Sequence, residues 1–204
     1  YFEDGKLKYE NLYLNGKKEG LQKSYFKNGN KKAVFFCSQG LKDGSFQGYY
    51  KNKEGALQKK CFYKDNFLHG DFFGYYESGN LMNQSHYIND TISGKYYEFF
   101  DSTQNLVSNF GHYVKGIREG KWIWYHYNEK IYIRGDFVND KKNGVWQVFY
   151  SDGRIKQKGV YTAGKEEGLW EFFNIDGSYS FKGNYLDGLK NGQWTSYYPN
   201  GKIK

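Results

Sequence analysis

Aromatic and glycine positions recur along this chain with a period of about 24 residues. The starting glycines of eight repeats are Gly20, Gly44, Gly70, Gly94, Gly120, Gly144, Gly168 and Gly192. An aromatic residue stands two positions after seven of these glycines, and Gln22 takes that place in the eighth. A second column, seven residues before each starting glycine, is aromatic in every repeat except where Cys37 replaces it. A regular period of this length indicates a repeat protein.

Two turns are predicted in each repeat. Asn-Gly or Asp-Gly pairs, such as Asn28-Gly29 and Asp152-Gly153, follow a pair of aromatic residues. This dipeptide is the strongest short signal for a β-hairpin because both residues tolerate positive φ. Four residues before each starting glycine, a Gly, Asn or Asp marks a second turn. Between the turns, apolar residues at even spacing predict strands of about seven or eight residues.

The sequence therefore predicts an all-β fold, an elongated single-layer antiparallel meander of about eight tandem 24-residue β-hairpin repeats. We interpret residues 1–204 as a single repeat array. Residues 1–19 form a partial repeat, and the full repeats start at residues 20, 44, 70, 94, 120, 144, 168 and 192. About sixteen strands and almost no helix are expected. Aromatic side chains stacked on neighbouring strands are expected to supply the core that a single sheet otherwise lacks.

The repeated pattern resembles the MORN repeat (membrane occupation and recognition nexus) in its bacterial variant. The segments from Gly144 to Gly153 and from Gly192 to Gly201 carry the resemblance best, and it extends over the whole chain. Such arrays are similar to those of bacterial proteins labelled antitoxins of the YwqK family and of surface or secreted proteins of anaerobic bacteria. The resemblance implies a non-enzymatic, protein-binding scaffold, and phospholipid binding is also proposed for the family.

Composition and charge narrow the choice of partner. Aromatic residues make up 22% of the chain, which is typical of strands and not of helix bundles. No apolar run approaches the roughly 20 residues of a membrane-spanning helix. The net charge of +8 is spread along the chain, as expected for a soluble sheet with exposed edges, and it permits an acidic partner. Lysines between aromatics also fit single-stranded nucleic acid, which we disfavour because the repeat itself requires those aromatics.

No group of side chains points to catalysis, to a cofactor or to a metal ion. His86 and His112 occupy equivalent places in consecutive repeats, about 9 to 10 Å apart, which is too far for a shared zinc ion. Cys37 and Cys61 are expected to be free thiols, because their Cα atoms should lie beyond the roughly 7 Å that a disulfide allows. Acidic residues such as Glu19 occupy turn positions, and a flat meander offers no cleft for acid-base chemistry. We therefore predict no catalytic, cofactor-binding or metal-binding residue and no cofactor.

One stretch departs from the repeat and is our candidate partner-binding surface. Its candidate residues are Trp122, Trp124, Tyr125 and Tyr127. Two of them, Trp124 and Tyr127, fit no column, and an Asn-Glu pair replaces the expected turn dipeptide. Exposed Trp and Tyr are enriched at interaction hot spots. The alternative is that this hairpin has simply drifted and has a looser turn.

Together these patterns predict a non-enzymatic repeat scaffold that binds another protein through its extended aromatic and lysine-rich face. The alternative is a surface-exposed, adhesin-like or envelope-associated module that binds a glycan or an anionic lipid or polymer. A purely structural spacer is a third hypothesis. End-to-end self-association through exposed strand edges is a further hypothesis. The resemblance favours an exported bacterial protein, in the periplasm or at the cell surface, over a cytoplasmic one.

Overall fold

The computed structural model describes all 204 residues, which form two compact units, Tyr1–Leu106 and Val107–Lys204. We call them the N-terminal and C-terminal units. Both are built from β-strands and turns without a helix. Accordingly, no helix is present that is long and apolar enough to cross a membrane.

The N-terminal unit is an antiparallel meander. Its strands are β1 (Tyr9–Leu14), β2 (Lys17–Tyr25), β3 (Lys31–Ser38), β4 (Leu41–Tyr49), β5 (Leu57–Lys64), β6 (Phe67–Tyr75), β7 (Leu81–Ile88), β8 (Thr91–Ile92) and β9 (Gly94–Phe99). Both β8 and β9 pair with β7, so they form one strand position that is interrupted at Ser93.

The C-terminal unit repeats this plan. Its strands are β10 (Val107–Val114), β11 (Ile117–Arg118), β12 (Gly120–Tyr125), β13 (Ile131–Val138), β14 (Lys141–Phe149), β15 (Ile155–Thr162), β16 (Lys165–Phe173), β17 (Tyr179–Leu186) and β18 (Leu189–Ser196). Strands β11 and β12 both pair with β10 and are interrupted at Glu119. The eighteen strands therefore fill sixteen strand positions. The predicted all-β antiparallel meander is confirmed, while the single array over residues 1–204 stays a prediction.

Each hairpin has a return strand, a tight turn and an outgoing strand that contains the starting glycine. The tight turn holds two consecutive residues with positive φ, such as Asn139 (φ 50°) and Asp140 (φ 63°). Two positive φ angles in a row define a type I′ turn, whose twist matches that of the flanking strands. The second of the two residues is Gly, Asn or Asp in all eight hairpins, as predicted. The first is less restricted and includes Lys115 and Ala163.

The starting glycines lie in β-bulges on the outgoing strands. Between β13 and β14, Asp136 faces Asn143 and Arg134 faces Gln147, so three residues of β14 oppose the single Gly135. All eight starting glycines have positive φ, which glycine adopts without steric cost. The bulge bends the outgoing strand, so that the aromatic ring two residues later turns back over the preceding return strand.

In the C-terminal unit, that ring is a tryptophan lying on a glycine. A Cβ atom added to the return-strand glycine would overlap the indole ring in four pairs, Gly111 with Trp122, Gly135 with Trp146, Gly159 with Trp170, and Gly183 with Trp194. The indole N–H of Trp146 donates to the carbonyl of Asp136 at 3.2 Å, and Trp170 and Trp194 make the equivalent bond. Only 3–5% of the surface of the first three tryptophans is exposed, so they form the core of this unit.

The N-terminal unit uses smaller rings with larger partners at the same positions. Phe72 lies opposite Cys61, and Phe46 stacks on Phe35 with ring centroids 5.7 Å apart. The size of the ring and the size of its partner are therefore matched along the chain, because interiors tolerate neither overlap nor voids.

Gln22, which breaks the aromatic column, makes the same contact by different chemistry. It is fully buried opposite Asn11, and its side-chain amide donates to the carbonyl of Leu12 at 3.1 Å. That carbonyl corresponds to the acceptor of the indole N–H in the C-terminal unit. The same amide nitrogen lies 3.1 and 3.2 Å from the carbonyls of Glu19 and Gly20, so its two hydrogens are shared among three acceptors. Gln22 therefore supplies the hydrogen-bond donor that the tryptophans supply at this position in the C-terminal unit.

We expect Gly159→Ala to lower the free energy of unfolding by about 1–3 kcal/mol, because the added methyl group overlaps the ring of Trp170. Trp170→Phe recreates the smaller ring of the N-terminal unit. In the double variant, the loss in free energy of unfolding is expected to be smaller than the sum of the losses in the two single variants. Urea denaturation followed by circular dichroism measures both effects.

Gly48→Ala is the matched control for this cycle, because its added Cβ would meet only side-chain atoms at 3.2 Å or more. It is expected to cost less than Gly159→Ala. Equal losses at both glycines, or strict additivity with Trp170→Phe, would show that the ring does not depend on the glycine beneath it.

Candidate functional site

The four candidate residues of the sequence analysis lie in different environments. Trp122 is only 3% exposed and rests on Gly111, so it belongs to the core and not to the exposed surface expected for this stretch. Trp124 and Tyr125 are half-buried, whereas Tyr127 is 62% exposed in the turn after β12. Of the four, Trp124 leads to a larger feature of the C-terminal unit.

The hairpin that follows Trp124 is held like those of its neighbours and is not looser. The His126 N–H donates through Nε2 to the carbonyl of Phe149 at 3.1 Å. Tyrosine hydroxyls make the equivalent bond to the next repeat elsewhere, as Tyr150 does to Phe173 at 2.8 Å. Glu129 takes the left-handed place of the usual turn glycine with φ 64°. His126 therefore supplies the hydrogen-bond donor that a tyrosine supplies in other repeats.

Trp124 lines a groove of about 400 Å³ in the C-terminal unit. The groove floor consists of one residue from each of four consecutive strands, Trp124, Ile133, Val148 and Gln157. Phe137, Trp146 and Tyr161 form the wall nearer the type I′ turns. The ring of Trp124 lies 5.9 Å from that of Trp146 and 6.4 Å from that of Phe137, so floor and wall pack as one aromatic cluster.

Cationic side chains surround this groove, and none of its lining residues is acidic. The Lys142 ammonium lies 4.7 Å from the ring centroids of both Trp146 and Tyr161. At the other end of the strands, Lys156 lies 5.7 Å from the ring of Tyr150. Neither lysine forms an ion pair within the protein. Both charges are thus available to an anionic group of a ligand.

Arg118 and Tyr161 already interact with other side chains of the protein. The Arg118 guanidinium lies 4.1 Å from the ring of Phe137 and pairs with Asp140 at 2.8 Å. Its hydrogen bonds to that carboxylate hold the pKa of Asp140 below its usual range. Burial, together with the nearby charge of Glu166, raises the pKa of Tyr161 to about 12. The phenol therefore stays neutral over the physiological range.

Other titratable groups serve the repeat itself. Three acidic residues before starting glycines accept backbone N–H bonds from the next tight turn, Glu19 from Gln39, Glu119 from Asn139, and Glu167 from Asp187. His86 bonds Asp71 at 2.8 Å. Cys37 and Cys61 are buried free thiols whose pKa burial raises. No group of three His, Cys, Asp or Glu residues is placed to hold a metal ion.

Sequence reasoning missed Lys142, Val148, Lys156 and Gln157, which obey the repeat and so attract no notice. One signal was available in the position four residues after each starting glycine. That position is Ser, Gly, Gly and Glu in the first four repeats and Trp124, Val148 and Phe172 in the next three. Two of these large apolar residues, Trp124 and Val148, lie in the groove floor.

Comparisons with known proteins give one family match. The sequence-family model described as the MORN repeat variant matches residues 18–34, 68–89, 118–139, 142–163 and 190–204. No curated protein matches the chain.

Solved structures of TarM are weakly similar to this chain. A Staphylococcus aureus TarM variant in complex with Fondaparinux, alpha-GlcNAc-glycerol and UDP is 13% identical with a TM-score of 0.27, and a second TarM structure is 14% identical with 0.26. Each match covers 66% of this chain but only 21% and 20% of those chains, so this chain spans about a fifth of their length. With TM-scores this low, the likeness supports no inference.

We expect His126→Tyr to leave stability nearly unchanged, because a tyrosine hydroxyl makes the equivalent bond in other repeats. His126→Phe keeps the ring but removes the donor, and it is expected to cost about 1 kcal/mol. Thermal unfolding of the two variants beside the parent protein measures the difference. A phenylalanine variant as stable as the tyrosine variant would contradict the assigned hydrogen bond.

Proposed function

Since this chain belongs to the MORN repeat variant family, whose repeats form scaffolds, we propose that it is a non-enzymatic scaffold that binds another protein. The partner sits in the groove of the C-terminal unit, with an apolar side chain on Trp124 and Val148. The lysines around the groove orient it and raise the rate of association.

The groove carries this proposal. Its volume of about 400 Å³ falls within the usual range of roughly 300–1,000 Å³ for ligand sites. Two of its four floor residues, Trp124 and Val148, are large apolar side chains at a position that five of the eight repeats fill with Ser, Gly or Glu. Partly exposed aromatic and aliphatic side chains with a charged rim are typical of the centre of a protein interface.

A protein partner is favoured over a glycan because the recurring tryptophans are not open platforms. Trp146 and Trp170 are 5% and 3% exposed, and each lies on a glycine of the neighbouring strand. Their flat faces are therefore used by the core and are closed to a sugar ring. The acidic residues favour a non-enzymatic role for the same reason, because backbone N–H groups occupy the carboxylates of Glu119 and Glu167.

We expect Val148→Arg to abolish binding of the partner, because it places a long charged side chain on the groove floor. The chain is immobilised, binders are captured from its native source, and bound material is eluted in rising salt. A discrete protein that is retained to about 0.5 M salt by the parent chain, and reduced at least tenfold on the variant, is the expected result.

Val145→Arg is the matched control. Val145 is three residues earlier on the same strand and 57% exposed, and it pairs with Val160 on the opposite side of the sheet from Trp146. It is expected to capture the same protein as the parent chain. An eluate of lipid, polysaccharide or nucleic acid that is lost as the Debye length shrinks to about 3 Å at 1 M salt would instead support the anionic-polymer alternative.

A further inference from the structure

We propose that the groove of the C-terminal unit binds an extended, acidic segment of its protein partner, in which one apolar side chain is flanked on both sides by Asp or Glu. This inference rests on the proposed function and assigns the chemical class of the partner. Four properties of the groove carry it, namely its length, its apolar floor, a side-chain amide without a hydrogen-bond partner in the protein, and its two unpaired charges.

The length of the groove fits a short stretch of extended chain. Its floor crosses four consecutive strands, β12 to β15. With about 4.8 Å between neighbouring strands, the floor is roughly 14 Å long. An extended chain rises about 3.3 Å per residue, so about four residues span the floor. A groove of about 400 Å³ holds such a segment but not a folded element such as a helix, which is about 10 Å wide with its side chains.

The apolar part of the floor selects an apolar side chain. Trp124, Ile133 and Val148 are adjacent on consecutive strands, and all three are only half-buried within the protein. The backbone groups beneath them are engaged in the ladders between β12, β13 and β14. The partner therefore cannot add as a further strand here, and recognition depends on side chains.

Gln157 supplies the polar contact that a peptide backbone needs. It ends the floor on β15, it is half-buried, and its side-chain amide makes no hydrogen bond within the protein. A carboxamide carries both donors and an acceptor, so it pairs with the N–H and C=O of one peptide unit. Leaving it unpaired on binding would cost affinity, which penalises ligands without amide groups, such as lipid chains.

Lys142 and Lys156 set the charge of the flanking residues. Lys142 lies next to the type I′ turn that joins β13 and β14, and Lys156 lies near the start of β15, toward the opposite turns. They therefore stand on opposite sides of the groove floor, separated along the strand direction. Both contact aromatic rings, and neither has a carboxylate partner within the protein. Arg118 is different, because Asp140 already neutralises it. Carboxylates on both sides of the apolar residue complement the two free ammonium groups.

Labelled nine-residue peptides test this assignment. Each peptide has a central Leu or Trp, two Glu, two Gln or two Lys on either side, and neutral Gly-Ser arms. Fluorescence anisotropy at physiological ionic strength measures binding to the full chain. We expect the Glu-flanked peptides to bind at least tenfold more tightly than the Lys-flanked ones, with Gln-flanked peptides between them. Replacing the central residue by Ala is expected to weaken binding at least fivefold.

Charge reversal in the protein gives the sharper result. The double variant Lys142→Glu, Lys156→Glu is expected to invert the preference, so that Lys-flanked peptides bind more tightly than Glu-flanked ones. The control, Lys121→Glu with Lys141→Glu, makes the same change in net charge. These two lysines are exposed, and each precedes a groove-side residue in a regularly paired stretch, so they point to the other face. Lys156 differs because it is the extra residue of the bulge between β14 and β15, and it lines the groove. The control is expected to keep the parent preference, and circular dichroism checks that both variants fold.

Gln157→Leu separates peptide recognition from simple charge attraction. It preserves the volume of the side chain but removes the donors and the acceptor. We expect a three- to tenfold loss of affinity with the Glu-over-Lys preference unchanged, because the lysines are untouched. If the variant binds the peptide as tightly as the parent protein does, the Gln157 amide does not contribute to recognition.

Several outcomes overturn the acidic class. One is that Glu-flanked and Lys-flanked peptides bind equally tightly, and another is that no peptide binds at about 1 mM. A third is that the control variant inverts the peptide preference as much as the Lys142→Glu, Lys156→Glu variant does. Displacement of bound peptide by a thymidine oligonucleotide or by anionic phospholipid vesicles, with no preference among peptides, would also overturn it. If Val148-dependent capture of a protein persists in any of these cases, the scaffold function stands and only the class of partner is wrong.

Discussion

The contact between the side chain two residues after a starting glycine and the residue beneath it on the previous strand is the interaction on which this fold depends. A single-layer sheet has no second layer to cover its apolar face, so each repeat must cover its neighbour. In the C-terminal unit the bulge at a starting glycine bends the outgoing strand, and the indole ring then lies on the glycine of the previous strand. The indole N–H is satisfied by the next carbonyl. Consequently, the burial of the ring, its size, the position of the glycine and the hydrogen bond of the indole depend on one another. A change in any of them affects the others.

Local features of this fold were predictable from the sequence because they depend on local backbone conformation. Left-handed φ favours Gly, Asn or Asp, which occupy the second place of each tight turn, and the spacing of these residues predicted the meander. Gln22 and His126, however, were classified as departures from the pattern. Both preserve a hydrogen-bond donor to a carbonyl in a neighbouring strand. A one-dimensional pattern ranks residues by aromatic character, whereas the register of the bulge decides which carbonyl a side chain reaches.

The sequence indicated one of the strands that border the groove, but it did not indicate which residues line the groove. Trp122 and Trp124 are two residues apart and extend from the same side of β12, yet one is core and the other lines the groove. The difference arises from the residue across the strand pair. Gly111 leaves room for the ring of Trp122, whereas Trp124 lies opposite Asn109. Groove residues such as Val148 and Gln157 come from separate repeats, so only the assembled sheet brings them together.

The pairing of ring and glycine also fixes where the chain divides into interchangeable cassettes. Gly135 belongs to a return strand and Trp146 to the outgoing strand after it, so a cut at the starting glycine Gly144 would separate the two. A cut at the Asn-Glu or Asp-Gly turns keeps β13 and β14 together as a complete hairpin with both partners. Duplication, loss or shuffling of whole hairpins therefore preserves each pair, whereas an event cut at the starting glycines that joins repeats of the two units can place a tryptophan over a large residue such as Phe35. An engineer who lengthens this protein should copy it from turn to turn.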